Sequence, residues 1–402
     1  MPSVAGIAPR ATRIFLLGLL AACCIGATWA ADREAAARTG NWRIETPERA
    51  LDTSSGIRET VWQQSRPPGG DFDRIRLHRY HGGGKSSATL LYLPGTNMNG
   101  VVANTDEAHN LWLYLAACGI EVFVLDYRTH AIPAETPMEN LGALRQWDTA
   151  TFVVDIESAA TLARNQSRRK KLFVAGFSRG GYLAYAHALA HPQNLAGLVI
   201  LDAGFKNHAP TGQYDAAAAM QKLQASGAWA SDVGGSRGWA SRQQLMQAVA
   251  VDPNAKSPSP DYATAGDMLA HVLQTSWGNG GLANPEGGAS KPQVLATLLQ
   301  GYDRYYPMIQ DIEGKSIADH ADDPRTPIDD HWGDLRVPVI AFASTGLGKD
   351  WTQNVVVSAN GSGSNDVSVH VLDGYGHLDV MVGEGARDDV YERILEWVRQ
   401  MR

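Results

Sequence analysis

The pattern of apolar and polar positions changes rhythm along the chain. Asp71–Tyr80 alternates polar and apolar residues, the period of a strand with one buried face. Beyond Gly82–Gly84 the alternation gives way to nearly continuous apolar runs at Ala88–Leu93, Ile120–Leu125, Lys171–Ala175, Leu198–Leu201, Val337–Ala343 and Val367–Leu372. Helical periods separate them, at Glu107–Ala117, Gln146–Arg164, Gly180–Ala190 and Asp388–Met401. Strands that are apolar throughout and alternate with helices predict a mostly parallel, doubly wound α/β sheet covered on both faces.

One interval breaks the alternation. Roughly 130 residues separate the run ending near Asp202 from the run starting at Val337, too many for a structureless loop in a compact domain. Helical periods recur there at Tyr214–Ala225, Ser241–Val251, Tyr262–Gln274 and Lys291–Ile312, with joints rich in Gly, Pro and Asn. We therefore expect an α/β core from residues 41–204 and 337–402, and a helical cap, 205–336, inserted between late strands. The cap carries Trp229, Trp239, Trp277, Tyr302, Tyr305, Tyr306 and Trp332. These aromatics either form its own core or face a substrate pocket beneath it.

Residues 1–30 read as an export signal. Arg10 and Arg13 precede a short apolar core, Ile14–Ala22, too short to span a bilayer as a mature helix. Two processing routes compete. Thr28-Trp29-Ala30 suits cleavage before Ala31, giving a periplasmic or secreted protein; Leu20-Ala21-Ala22-Cys23 resembles a lipobox, which would leave an acylated, membrane-anchored Cys23. The first is preferred. Of the 3 cysteines, Cys23 and Cys24 fall in this segment, so the soluble form keeps Cys118 alone and no internal disulfide.

With 44% hydrophobic residues over 402 positions the chain can build a large core. Its net charge of −7, without an extended basic cluster, argues against nucleic acid and anionic membrane surfaces as partners. No H-E-x-x-H, paired-cysteine or EF-hand spacing appears, and no Gly-rich dinucleotide loop follows the first strand, so neither metal nor cofactor is expected. Nothing in the sequence sets the oligomeric state.

The chemistry concentrates at one place. Lys171–Ala175 runs into Gly176-Phe177-Ser178-Arg179-Gly180-Gly181 and then a helix: strand, G-x-S-x-G, helix. Such a turn holds its serine in strained backbone and lifts the hydroxyl clear of the sheet, and side chains two positions to either side would collide, hence the glycines. The helix start behind it offers unpaired N–H groups to a developing oxyanion.

This arrangement resembles the α/β-hydrolase superfamily, over roughly residues 71–204 and 337–401. The resemblance implies that Ser178 is a nucleophile followed in chain order by an acid and a histidine, each after a late strand. His377, in Asp373-Gly374-Tyr375-Gly376-His377-Leu378, has the expected position for the base; His370 falls within a strand. Asp350, after the run Val337–Ala343, is the preferred acid, with Asp202 as its rival at the end of the preceding strand. The oxyanion donors would be the N–H groups of Arg179 and, in Pro94-Gly95-Thr96-Asn97, of Thr96, with Asn97 second; Pro94 departs from the histidine common there. His81-Gly82-Gly83-Gly84 matches the lipase oxyanion tetrapeptide but precedes the strand and reads as a hairpin turn. Asp126-Tyr127-Arg128 would buttress the neighbouring loop. The expected activity is hydrolysis of a small-molecule carboxylic ester through an acyl-enzyme. Amide or peptide cleavage by the same triad, or a non-catalytic binding role on the same fold, are the alternatives.

Overall fold

The computed structural model describes residues 41–235, 238–276, 281–320 and 332–401. The proposed export segment with Cys23, and Trp277 in the cap, lie outside the described residues.

The strands of the main sheet are β1 Arg43–Ala50, β2 Arg58–Ser65, β3 Arg74–His81, β4 Ala88–Leu93, β5 Ile120–Asp126, β6 Leu172–Phe177 and β7 Leu195–Leu201, then β10 Val339–Ser344 and β11 Val367–Leu372. They lie in the order β1-β2-β3-β5-β4-β6-β7-β10-β11. Pairings from β1 to β5 are antiparallel and those from β5 to β11 are parallel. The core helices are α1 Leu111–Ala117, α2 Thr149–Ser167 and α3 Arg179–Ala190, with α9 Lys349–Asn360, α10 Asp379–Val382 and α11 Glu392–Gln400 near the C-terminus.

Both faces of the central strands are covered, which is why their sequences read as unbroken apolar runs. Leu90, Tyr92, Val122 and Val124 point into one core with α1 and α11, whereas Leu91, Leu93, Phe123 and Leu125 point into the other with α2 and α3. β1 and β2 were not marked out by the sequence: β1 is an edge strand, exposed along most of its length. The turn Gly82–Gly84 is also not the expected hairpin, because β5 lies between β3 and β4. It carries the chain across one strand position instead.

Between β7 and β10 come α4 Ala216–Ser226, β8 Ala230–Asp232, α5 Trp239–Val251, α6 Ala265–Thr275, α7 Pro292–Gln300, β9 Tyr305–Pro307 and α8 Met308–Asp319, with β8 and β9 paired antiparallel. The single helical period expected at Lys291–Ile312 is thus split into α7, β9 and α8. Gly301 caps α7, and Pro307, which has no N–H to donate, stands just before the first turn of α8.

One buried ionic cluster ties the antiparallel edge to the helices. Arg128 donates to Asp73 at 2.5 Å and to both oxygens of Asp155 at 2.6 and 3.0 Å, and Arg66 donates to Asp155 at 2.7 Å. All four residues are buried. Removing one partner leaves uncompensated charge in the interior, so Arg128→Met is expected to lower stability by about 3–5 kcal/mol. Urea unfolding of the two proteins checks this; a loss below about 1 kcal/mol would be the value of an exposed pair.

Candidate active site

β6 is buried to its last residue and α3 begins at Arg179, so Ser178 alone makes the turn. Its φ of 54° and ψ of −122° lie in a region that residues with a Cβ rarely adopt, at a cost of roughly 1–3 kcal/mol. The turn is enforced by close packing. A Cβ on Gly180 would fall 1.9 Å from the Leu93 carbonyl oxygen, one on Gly176 would fall 2.2 Å from that of Gly180, and one on Gly181 would fall 2.4 Å from the Ala203 Cβ. Ser178 itself is pinned by its N–H to Leu201 O at 2.9 Å, and its carbonyl accepts from Gly181 and Tyr182. The N–H of Arg179, in the first turn of α3, has no carbonyl a turn earlier to bond.

The neighbouring strand ends supply the other groups. His377 follows β11 and is buried; its Nδ1 donates to Asp202 Oδ2 at 2.6 Å. That bond fixes the tautomer and leaves Nε2 as the basic nitrogen. Phe177, next to Ser178, lies against the imidazole with ring centroids 4.6 Å apart, and Trp351 meets it edge-on at 5.7 Å. Asp202, at the end of β7 with φ 47°, is fully buried. Its two oxygens also accept from Ser344 N at 2.8 Å and Ser344 Oγ at 2.7 Å.

Asp350, the acid preferred from the sequence, does not reach this histidine. It sits in the first turn of α9 with its side chain 86% exposed, 3.8 Å from His208 Nε2. The helix begins immediately after Gly348 and carries Asp350 outward. The rival Asp202 occupies the place beside His377. Ser344, which holds Asp202, was not picked out by sequence reasoning; its signal would have been a hydroxyl ending β10 beside the β7 strand end.

Thr96 and Ser178 line one cavity of about 720 Å³. The loop bearing Thr96 is held on both sides. Tyr127 Oη donates to Pro94 O at 3.0 Å, and Asn97, at φ 63°, exchanges two hydrogen bonds with the backbone of Asp303 in the cap. Asp126 accepts Gly100 N–H at 2.5 Å, a direct buttress of this loop. The cavity roof is α8, which lays Asp311, Gly314 and Lys315 over the elbow; Arg179 Nη1 donates to Gln310 O at 3.2 Å. None of the cap aromatics Trp229, Trp239, Tyr302, Tyr305, Tyr306 and Trp332 lines it. Tyr305 and Tyr306 are buried, and Trp229 and Trp332 pack against the sheet core, so these side chains serve cap packing. The aromatic lining comes from Tyr182, Tyr214 and Trp351.

A further carboxylate holds the histidine loop. Asp379 Oδ2 accepts from Gly376 N at 2.7 Å and from Asn284 N at 2.8 Å, joining that loop to the cap. Among the described residues, Glu157, His187 and His191 could approach one metal ion. Glu157 is already engaged by His187 at 2.9 Å and Arg164 at 2.8 Å, and this pairing holds its carboxyl at about 2 against the opposing effect of burial. That is the arrangement of a structural ion cluster, and we assign it no metal.

A family model described as "Serine aminopeptidase, S33" matches residues 97–276, somewhat under half of the chain. A presumed lipase from Sulfolobus solfataricus is similar in structure, with a TM-score of 0.73 and 25% identity, over 90% of this chain and 99% of that one. A lipase in an open form gives a TM-score of 0.48 and 17% identity over 89% of this chain and 99% of that one. No curated protein sequence matches the chain. The chain has the α/β-hydrolase fold. Within it, the chain is similar to esterase- and lipase-like members.

Beneath the Thr96 loop lies a buried titratable row. His78 bonds Glu59 at 2.9 Å and Asp126 at 3.1 Å, and His130 bonds Asp303 at 2.8 Å. Burial alone would depress the His78 pKa, but Asp126 and Glu59 override it and raise it to about 9. Stabilisation from a raised imidazole is complete below its ordinary 6.5 and is lost as pH climbs through about 9. His78→Gln is therefore expected to destabilise the protein by an amount on the order of 3 kcal/mol at pH 6 and by much less at pH 9.5. Urea unfolding at the two pH values measures this, and a pH-independent difference would contradict it.

Proposed function

We propose that this protein is a serine hydrolase that cleaves small carboxylic esters through an acyl-enzyme, with Ser178 as nucleophile, His377 as general base and Asp202 as the acid. In the first half-reaction His377 Nε2 takes the Ser178 proton as Oγ attacks the ester carbonyl, and Asp202 stabilises the imidazolium. The oxyanion is received by the N–H groups of Arg179 and Thr96. Collapse breaks the ester C–O bond, His377 returns the proton to the departing alcohol, and water repeats the sequence on the acyl carbonyl.

The observation that carries this reading is the 2.6 Å Asp202–His377 bond, packed against Phe177, the residue before the strained serine. The cavity of about 720 Å³ over Ser178 lies within the size range of small-molecule sites. Amide cleavage is a second reading, favoured by the aminopeptidase description of the matched family model. Ester cleavage is preferred because the likeness to a presumed lipase extends over 90% of the chain. The basic and apolar N-terminal segment supports export to the periplasm or medium, with membrane attachment only if Cys23 is acylated.

Two replacements separate the acids. Asp202→Asn is expected to lower kcat on p-nitrophenyl acetate by about 10⁴-fold. Asp350→Asn, an exposed change, is expected to alter it by less than about twofold. The reverse order of effects would reinstate Asp350. Turnover of L-amino-acid p-nitroanilides above that of p-nitrophenyl esters would move the assignment to the aminopeptidase reading.

A further inference from the structure

The cap contains a second cavity, of about 950 Å³, open on one side and lined mainly by α5 and α6, with Leu299 of α7. It shares no lining residue with the cavity over Ser178. Its walls are aliphatic and thioether side chains, among them Leu245, Met246, Met268, Leu269 and Leu299. Among the described residues its charged lining residues are Arg242 and Lys256, and none of the lining residues is a carboxylate.

Arg242 is the unusual element. Its guanidinium lies between two aromatic rings, 5.5 Å from the Trp239 centroid and 5.3 Å from that of Tyr302. Nη1 is sealed from solvent and has no hydrogen-bond partner among the described residues. Burial pulls the group below the ordinary arginine range, with Tyr302 opposing the shift. The residue as a whole is half-buried, but a guanidinium nitrogen sealed off without an anion is costly, and the aromatic faces offset only part of that cost. Elsewhere in the chain the buried arginines Arg66 and Arg128 each meet a carboxylate. Arg242 lacks that partner while bordering an apolar cavity of ligand size.

We infer that this cavity binds a monocarboxylate with an aliphatic tail, the carboxylate pairing with Arg242 and the chain lying along the apolar walls of α5 and α6. A guanidinium matches a carboxylate through two parallel N–H···O bonds, which would satisfy Nη1. An alcohol or an ammonium amphiphile of equal length offers the same tail without that pairing. The inference is independent of the chemistry assigned to Ser178.

Decanoate is the test ligand, titrated calorimetrically into full-length Ser178→Ala protein so that turnover plays no part. Saturable binding at one site is expected, weakened at least tenfold by Arg242→Met and by Val272→Trp, which fills the cavity from its partly exposed side. Decyltrimethylammonium is expected to bind at least tenfold more weakly than decanoate. Arg242 has no carboxylate partner among the described residues, and methionine keeps an apolar side chain against Trp239 and Tyr302, so Arg242→Met is expected to leave the urea midpoint of the ligand-free protein undiminished. Four results would each overturn the assignment: no saturable binding, equal affinity of Arg242→Met, equal affinity of the ammonium amphiphile, or loss of decanoate binding in wild-type protein whose Ser178 carries a small phosphonate. The last would locate the anion in the cavity over the elbow.

Discussion

A carboxylate removed from water must have its oxygens answered by donors, and the candidate catalytic face of this protein is arranged around one that meets this condition. Asp202 is fully buried and accepts from Ser344 N, Ser344 Oγ and His377 Nδ1. Those donors come from the ends of β10 and β11, and Asp202 itself ends β7. The bonds therefore fix three strand ends relative to one another at the edge where β6 delivers Ser178. Charge-assisted bonds of this kind are strong in a dry interior, and any displacement would expose an unsatisfied charge. The imidazole is thereby held in one tautomer, on a loop that Asp379 fastens through Gly376 N–H.

The cap is joined to this face by backbone-level contacts. Asp303 exchanges hydrogen bonds with Asn97, beside the proposed oxyanion donor, and Asn284 shares Asp379 with the histidine loop. Arg179 extends its guanidinium under α8 to Gln310 and Asp311. The cap therefore meets the site at the oxyanion loop, the histidine loop and the nucleophile elbow. Its movement relative to the core would be felt in the alignment of all three.

Much of this was legible in the sequence, for identifiable reasons. Strands covered on both faces leave unbroken apolar runs, so β4 to β7, β10 and β11 were visible. The elbow was visible because the packing there leaves no room for a Cβ at positions 176, 180 and 181, which are glycine. β1 was not, since an exposed edge strand has no buried face to impose a pattern. The sequence preferred Asp350, which the structure sets apart from His377, because chain order places both Asp202 and Asp350 before that histidine. Only the start of α9 at Lys349 decides that Asp350 turns outward. The aromatic content of the cap was equally ambiguous, as periodicity separates a buried face from an exposed one but does not distinguish a core from a pocket wall.

Covalent trapping tests the central claim most directly. Wild-type protein treated with a fluorophosphonate, then digested and mapped by mass spectrometry, should carry one adduct, on Ser178. Ser178→Ala should carry none, and Asp202→Asn should label far more slowly than wild type. An adduct on another serine, or native folded protein that takes up no label, would contradict the account of Ser178 as a nucleophile activated by the His377–Asp202 pair.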